Sequence, residues 1–248
     1  HSYCAVESLA GFEICDFVIE SITEEREKKS LTLEQLEAIV RSDVPLASNT
    51  SAIPISDMQQ QLRRPERLVG MHFAEPVHAT RFLEIIPGER TSESVVHAAL
   101  ALGCAMGKEP CVLRKDVPGF IANRLGYALY REALHLLQTG VADAETIDRS
   151  FRNSLGLWSS VCGPFQWMDI SGGPLLYAQT MQGVLPDLSP TTDVSAAFEQ
   201  LLARPETGND ASSSDFCYDA DEVDRASSIY AEHVWNVKRL VEHYESSR

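Results

Sequence analysis

Residues 48–84 read SNTSAIPISDMQQQLRRPERLVGMHFAEPVHATRFLE, and the fold is decided in this stretch. The apolar run Val44-Pro45-Leu46-Ala47 reads as a strand that empties into the polar turn Ser48-Asn49-Thr50-Ser51. Ile53-Pro54-Ile55-Ser56 then opens a helix, with Pro54 near the first turn, where a missing N–H costs nothing. Arg67-Leu68-Val69-Gly70-Met71 is the next strand, and His72 stands where it leaves the sheet. In open α/β sheets, ligands bind outside the carboxyl ends of the strands. Two such ends here deliver the Ser51 hydroxyl and the His72 imidazole. Glu84 follows on a further apolar run, Phe82-Leu83-Glu84-Ile85-Ile86. A carboxylate on a buried strand needs a partner, and an imidazole is a chemically useful one.

Outward from this stretch the same alternation continues. Upstream, residues 14–19 (ICDFVI) form a short apolar run suited to a buried parallel strand. From Glu24 to Arg41 the pattern is helical, with Leu31, Leu33, Leu36, Ile39 and Val40 as its apolar stripe and Thr23 as its N-cap. Downstream, Thr91 to Gly107 reads as a helix capped by Thr91 or Ser92, and Pro110-Cys111-Val112-Leu113 as one more strand. Asp116-Val117-Pro118-Gly119 marks the break between two domains, placed at residues 1–116 and 117–248. Beyond it the periodicity is helical throughout. A long amphipathic helix spans Phe120 to Gln138, another runs from the cap Asp143 to Leu155, a third starts at 163–169, and the last spans Glu222 to Tyr244. Ile229, Val234, Trp235, Leu240 and Val241 form the expected buried face of that last helix, and residues 204–215 read as a polar loop. The fold class is therefore α/β: a doubly wound, Rossmann-type sheet, which the resemblance given below makes a partial one, followed by an all-helical domain.

Composition narrows the function classes. A 44% hydrophobic fraction in 248 residues supports a real core, and the formal charge of −15 argues against nucleic acid or an anionic membrane as partner. No apolar run approaches the ~18 residues of a membrane span. The six cysteines (4, 15, 104, 111, 162 and 217) show no C-x-x-C spacing. Cys15 and Cys111 lie in strand-like runs, so buried free thiols in a reducing compartment, cytoplasm or mitochondrial matrix, are expected. The histidines other than His72 show no metal-ligand spacing. Trp158, Trp167 and Trp235 read as core residues rather than as a stacking platform for a ligand.

Taken together, SNTS at 48–51, the HFxxP motif at 72–76 ahead of Leu83-Glu84, and PGFIANR at 118–124 resemble the 3-hydroxyacyl-CoA dehydrogenases. DFVIESITEE at 16–25 and GKEPCVLRKDVPGF at 107–120 extend the resemblance over residues 14 to 172. It implies an NAD-dependent oxidation of an acyl-CoA substrate, with His72 as general base, Glu84 orienting it, and Ser51 and Asn123 holding the substrate oxygen. It further implies cofactor contacts from Glu24, Lys29, Asn49, Ser51 and Glu75, and a homodimer formed through the helical domain. Two departures stand out. The family commonly has asparagine where this chain has Glu75, whose charge His78 and Arg81 could neutralise. Its glycine- and lysine-bearing motif ending Gly-Phe-Tyr is reduced to Asp215-Phe216-Cys217-Tyr218, without the lysine. A glycine-rich G-x-G-x-x-G loop is absent, so the resemblance implies an N-terminally truncated chain lacking roughly 80 residues of the first mononucleotide-binding half. The 248 residues alone are then expected to be inactive.

The residues themselves support this chemistry. Oxidising a secondary alcohol needs a base for the hydroxyl proton as hydride departs, and a carboxylate beside a histidine fixes its tautomer and stabilises its charged form. Alternative readings remain. A strand-end histidine is often only structural, and Glu24 and Lys29 also fit an ordinary charged helix start. The whole chain also fits a non-catalytic dimeric scaffold or partner subunit. A related hydroxyacid dehydrogenase would use a lysine base, which the HFxxP and Leu-Glu pair disfavours.

Overall fold

The computed structural model describes residue 5 and residues 8–202 and 220–246. It divides into two compact units, His1–Leu125 and Gly126–Arg248. The first is built on five strands, β1 (Val18–Glu20), β2 (Leu46–Ser48), β3 (Leu68–Phe73), β4 (Phe82–Pro87) and β5 (Glu109–Val112), in spatial order 1-2-3-4-5. Pairings β1–β2, β2–β3 and β4–β5 are parallel, while β3 and β4 run antiparallel. Helix α1 (Arg26–Ile39) joins β1 to β2, α2 (Ile55–Gln59) lies between β2 and β3, and α3 (Glu93–Ala105) joins β4 to β5.

Successive strand residues point to opposite faces, and both faces are buried. Leu46, Leu68 and Ile86 pack with Leu33 and Leu36 of α1 and Ile55 and Met58 of α2. Their neighbours Ala47, Val69, Met71, Leu83 and Ile85 pack with Val95 and Ala99 of α3. Counting on by twos puts His72 and Glu84 on the first face, with Leu68 and Ile86. Close approach depends on two glycines. A methyl at Gly70 would meet Ile55 Cδ1 and Ile86 Cβ at 2.9 Å, and one at Gly103 would meet Leu83 Cδ2 at 2.5 Å.

Several boundaries differ from the sequence reading. The apolar run at 14–19 is not one strand: Leu9–Ile14 coil into a 3-10 turn and pairing begins only at Val18. Helix α1 starts after Glu25 rather than at a Thr23 cap, because the 21–24 segment turns to serve the site described below. Pairing in β2 begins at Leu46 and extends to Ser48. Cys15 is half-buried and Cys111 exposed, since the first lies outside any strand and the second on the edge strand β5. Phe120 is not the first residue of a helix but sits in a left-handed turn, with φ 52°.

In the second unit, the helices are α4 (Ala122–Gln138, which begins in the first unit), α5 (Ala144–Asn153), α6 (Leu155–Ser159), α7 (Pro164–Ile170), α8 (Pro174–Val184), α9 (Ser195–Leu202) and α10 (Ala220–Ser246). Asp143 caps α5 by accepting from the Thr146 N–H at 2.8 Å, and that helix stops at Asn153. Trp158 and Trp167 stack at 5.4 Å with their planes 8° apart. None of α4 to α8 contains a fully buried residue. On α10, Ile229, Trp235 and Leu240, expected in a core, are exposed. The 204–215 loop and Asp215 to Tyr218 lie outside the described residues.

Candidate active site

The site is built where β3 and β4 pair antiparallel. His72 and Glu84 are direct partners in that register, so their side chains leave the sheet side by side on one face. His72 Nδ1 and Glu84 Oε2 are 2.8 Å apart, both side chains almost fully enclosed. The other carboxylate oxygen, Oε1, accepts the backbone N–H groups of Ile121 and Ala122 at 2.9 and 3.0 Å. Burial pushes the Glu84 carboxyl upward, but the hydrogen bonds from His72, Ala122 and Ile121 outweigh it and hold it below the ordinary range. An ionised Glu84 can only accept, so the proton between the pair belongs to His72 Nδ1. In the neutral ring, the lone pair is then on Nε2, which makes no hydrogen bond among the described residues. Phe82 and Phe120 flank the imidazole, each 5.6 Å away between ring centroids.

Gly119 (φ 74°) and Phe120 (φ 52°) form the turn that aims those two N–H groups at Glu84. A bulky residue in that region costs about 1–3 kcal/mol, and here the fully buried Phe120 ring sits in the core. Sequence reading missed this turn. The only signal was Pro118-Gly119 before an apolar residue, which marks a break but not its handedness.

A second cluster surrounds the carboxyl ends of β1 and β2. Lys29, with 0% of its side chain exposed, gives its ammonium to Glu20 Oε1 at 2.8 Å and to the Ile22 carbonyl at 3.0 Å. Glu20 also accepts from the Ser48 hydroxyl at 2.6 Å and the Ile22 N–H at 2.7 Å. Lys29 is thus an internal counter-charge, while Glu24 lies 3.6 Å away at the edge of the cluster. Glu24 Oε1 accepts from the Thr50 hydroxyl at 2.5 Å and from the N–H groups of Ser51 and Ala52 at 2.9 and 3.0 Å.

Ser51 and Asn123 meet through the backbone: Asn123 Nδ2 donates to the Ser51 carbonyl at 2.6 Å. The Ser51 hydroxyl makes no hydrogen bond among the described residues. Asn49 ties strand ends together, donating to Ser21 Oγ at 2.9 Å and accepting from the Phe73 N–H at 3.0 Å. Glu75 is exposed in the turn after β3. That turn is held by Lys108, which donates to the carbonyls of Val77 and Thr80. Among the described residues no group of three His, Cys, Asp or Glu could hold a metal ion, and no helix is long and apolar enough to cross a membrane.

Residues 4–117 match the profile of the 3-hydroxyacyl-CoA dehydrogenase NAD binding domain, and residues 119–213 that of the 3-hydroxyacyl-CoA dehydrogenase C-terminal domain. The chain belongs to the 3-hydroxyacyl-CoA dehydrogenase family. A 5-formyl-3-hydroxy-2-methylpyridine 4-carboxylate 5-dehydrogenase from Mesorhizobium japonicum is 33% identical over 227 residues, covering 92% of this chain and 73% of the relative. The crystal structure of a protein described by the same name, an NAD+ dependent dismutase, superposes with a TM-score of 0.87 at 31% identity, over 96% of this chain and 77% of that one. An (S)-3-hydroxybutyryl-CoA dehydrogenase from Ralstonia eutropha is 34% identical with a TM-score of 0.58, over 73% of this chain and 62% of that one.

NAD is the cofactor of this family fold, and the residues present suit its redox end. Polar groups gather at the carboxyl ends of β1, β2 and β3, where such sheets bind nucleotides. They include the Ser51 hydroxyl and His72 Nε2, neither of which has a hydrogen-bond partner among the described residues.

Proposed function

We propose that this chain carries the chemistry of an NAD-dependent dehydrogenase acting on a carbon that bears both a hydrogen and a hydroxyl. The observation that carries the reading is the 2.8 Å pair of His72 and Glu84, with the second oxygen of Glu84 filled by backbone N–H groups. Such a carboxylate can stabilise a charged imidazole but is not free to take the proton itself. His72 Nε2 accepts the hydroxyl proton, Nδ1 keeps its own, and the positive charge that develops is balanced by Glu84. Ser51 and Asn123 hold the substrate oxygen through its change from hydroxyl to carbonyl. NAD, when bound, supplies the hydride acceptor. Asn49, Ser51 and Glu75 border its nicotinamide end, with Lys29 enclosed beneath as a counter-charge. Residues 1–116 serve the cofactor, and residues 117–248 serve the substrate and a homodimer contact.

Two substrate classes fit this chemistry. A 3-hydroxyacyl-CoA, the substrate type in the family's name, presents a secondary alcohol. The hydrate of an aromatic aldehyde presents the same H–C–O–H unit and leaves as a carboxylate. The second class is the first to test, because the likeness to the pyridine dehydrogenase runs along 96% of the chain and that to the hydroxybutyryl-CoA enzyme along 73%. Incubating the natural protein with NAD and either substrate, and following NADH, separates the readings. Turnover with the pyridine aldehyde and not with the thioester is the expected result. Turnover with the thioester alone moves the assignment to the acyl-CoA class. No turnover with either, from a folded protein that binds NAD, replaces the enzyme by a partner subunit.

A further inference from the structure

The geometry points to Glu24 as a positioning residue, whose carboxylate fixes the 50–52 turn and, through the Ser51 carbonyl, the amide of Asn123. This rests on the reading of Ser51 and Asn123 as the groups that hold the substrate oxygen. The turn between β2 and α2 has no strand or helix to satisfy its backbone. Glu24 Oε1 takes that place by accepting three donors, the Thr50 hydroxyl and the N–H groups of Ser51 and Ala52. The Thr50 hydroxyl in turn accepts from the Ile53 N–H at 3.0 Å, which carries the hold into the start of α2.

The far side of the turn is latched to the segment that orients the base. Asn123 Nδ2 donates to the Ser51 carbonyl, and the Gly119 N–H to the Ala52 carbonyl at 3.3 Å. Immediately before Asn123 in the chain, Ile121 and Ala122 are the donors to Glu84. Glu24 and Glu84 therefore do the same work at opposite ends of one hydrogen-bonded run, each gripping two consecutive backbone N–H groups. A charge is needed rather than an amide, because several donors converge on one oxygen and a charged acceptor holds each about twice as strongly. Lys29, 3.6 Å from the other oxygen, keeps that charge in place. Burial works upward on the Glu24 carboxyl, but the bonds from Thr50, Ala52 and Ser51 and the charge of Lys29 more than reverse it. A residue that served the cofactor alone would have no use for this set of internal donors.

The test compares Glu24→Ala, Glu24→Gln, Ser51→Ala and the double variant Glu24→Ala/Ser51→Ala in the natural protein. Amide hydrogen exchange at Ser51 and Ala52 is expected to quicken by about 10-fold in Glu24→Ala, the scale of one lost hydrogen bond, and less in Glu24→Gln. Turnover falls by about 10²-fold in Glu24→Ala, as for a displacement of about an ångström, with NAD affinity unchanged and partial recovery in Glu24→Gln. The double variant loses less than the two single losses combined, because Glu24 holds the turn that carries the Ser51 hydroxyl. Unchanged exchange at Ser51 and Ala52, or full additivity, overturns the assignment. So does weakened NAD binding at unchanged turnover, which makes Glu24 a cofactor contact. If instead His72→Ala keeps full turnover, the functional reading fails while the exchange result still decides what Glu24 holds.

Discussion

His72 and Glu84 are register partners across the antiparallel β3–β4 pairing, and that pairing is what brings them together. In a parallel pair the two strands would need a crossover of a dozen or more residues. Here the reversal between β3 and β4 brings the pair face to face with a short connection, and the pleat turns both side chains toward the same side. If Nε2 takes the substrate proton, His72→Ala lowers turnover by about 10²–10⁴-fold while circular dichroism and unfolding stay near those of the natural protein. Near-normal turnover in a folded His72→Ala protein would remove the base from the scheme.

Glu84→Gln separates charge from shape. The acid limb of the pH–rate profile is expected to move to lower pH, because the protonated ring loses its counter-charge. Stability supplies a second readout. The Glu84 carboxyl is held below the ordinary range in the folded chain. Its contribution is fully present above the range where an unfolded carboxylate titrates, and is lost as pH falls through its lower folded value. The stability gap between natural protein and Glu84→Gln should therefore narrow toward acid pH. A gap that widens there would mean the sign is wrong.

Phe120 is committed to two duties, core filler and turn former, and the substitutions can be told apart. Phe120→Ala removes a ring with 0% exposure from the core and keeps the left-handed strain, so a loss of about 3–5 kcal/mol is expected from denaturant unfolding. Phe120→Gly relieves the strain but lets the turn wander, and should cost more in turnover than in stability relative to Phe120→Ala. Equal turnover in the two variants would show that the turn holds itself.

The pair at the centre of the site was legible because strand-end motifs and their order survive in a linear reading. What the linear reading lacks is the third dimension of polar groups. Glu24, Glu25, Arg26, Glu27, Lys28 and Lys29 look like one solvated helix start, yet Lys29 is enclosed while Lys28 is exposed. Only the position of Glu20 at the end of β1 distinguishes them. The φ of Phe120 has no signature in residue type, since bulky side chains normally avoid that region. The run at 14–19 shows the opposite failure, where apolar composition is right for a strand but the pairing partner starts only at Leu46, opposite Val18.

Self-association tests the helical unit. Tyr127, Tyr130, Leu157, Val161 and Leu175 are exposed, and Phe165 is 80% exposed. Apolar surface on this scale usually marks an interface. Sedimentation at tens of micromolar, on the order of ordinary assay concentrations, is expected to show a dimer. A monomer there would return those side chains to solvent and remove the homodimer from the proposal.

The last test concerns the ion pair beneath the site. Lys29 and Glu20 have no exposed side-chain surface and lie 2.8 Å apart. Removing one partner strands the other charge in a medium that cannot solvate it, whereas removing both leaves nothing to compensate. Lys29→Met alone should therefore cost about 3–5 kcal/mol in denaturant unfolding, because Glu20 would keep only its neutral donors, the Ser48 hydroxyl and the Ile22 N–H. Glu20→Gln combined with Lys29→Met should recover most of that loss, since the amide can still accept from Ser48. The 50–52 turn provides the second reading. Without the ammonium 3.6 Å away, Glu24 loses the charge that steadies its second oxygen, so exchange at Ser51 and Ala52 should quicken in both variants even where global stability returns. Recovery of exchange together with stability would mean that Lys29 supports the sheet alone and that Glu24 holds its turn unaided.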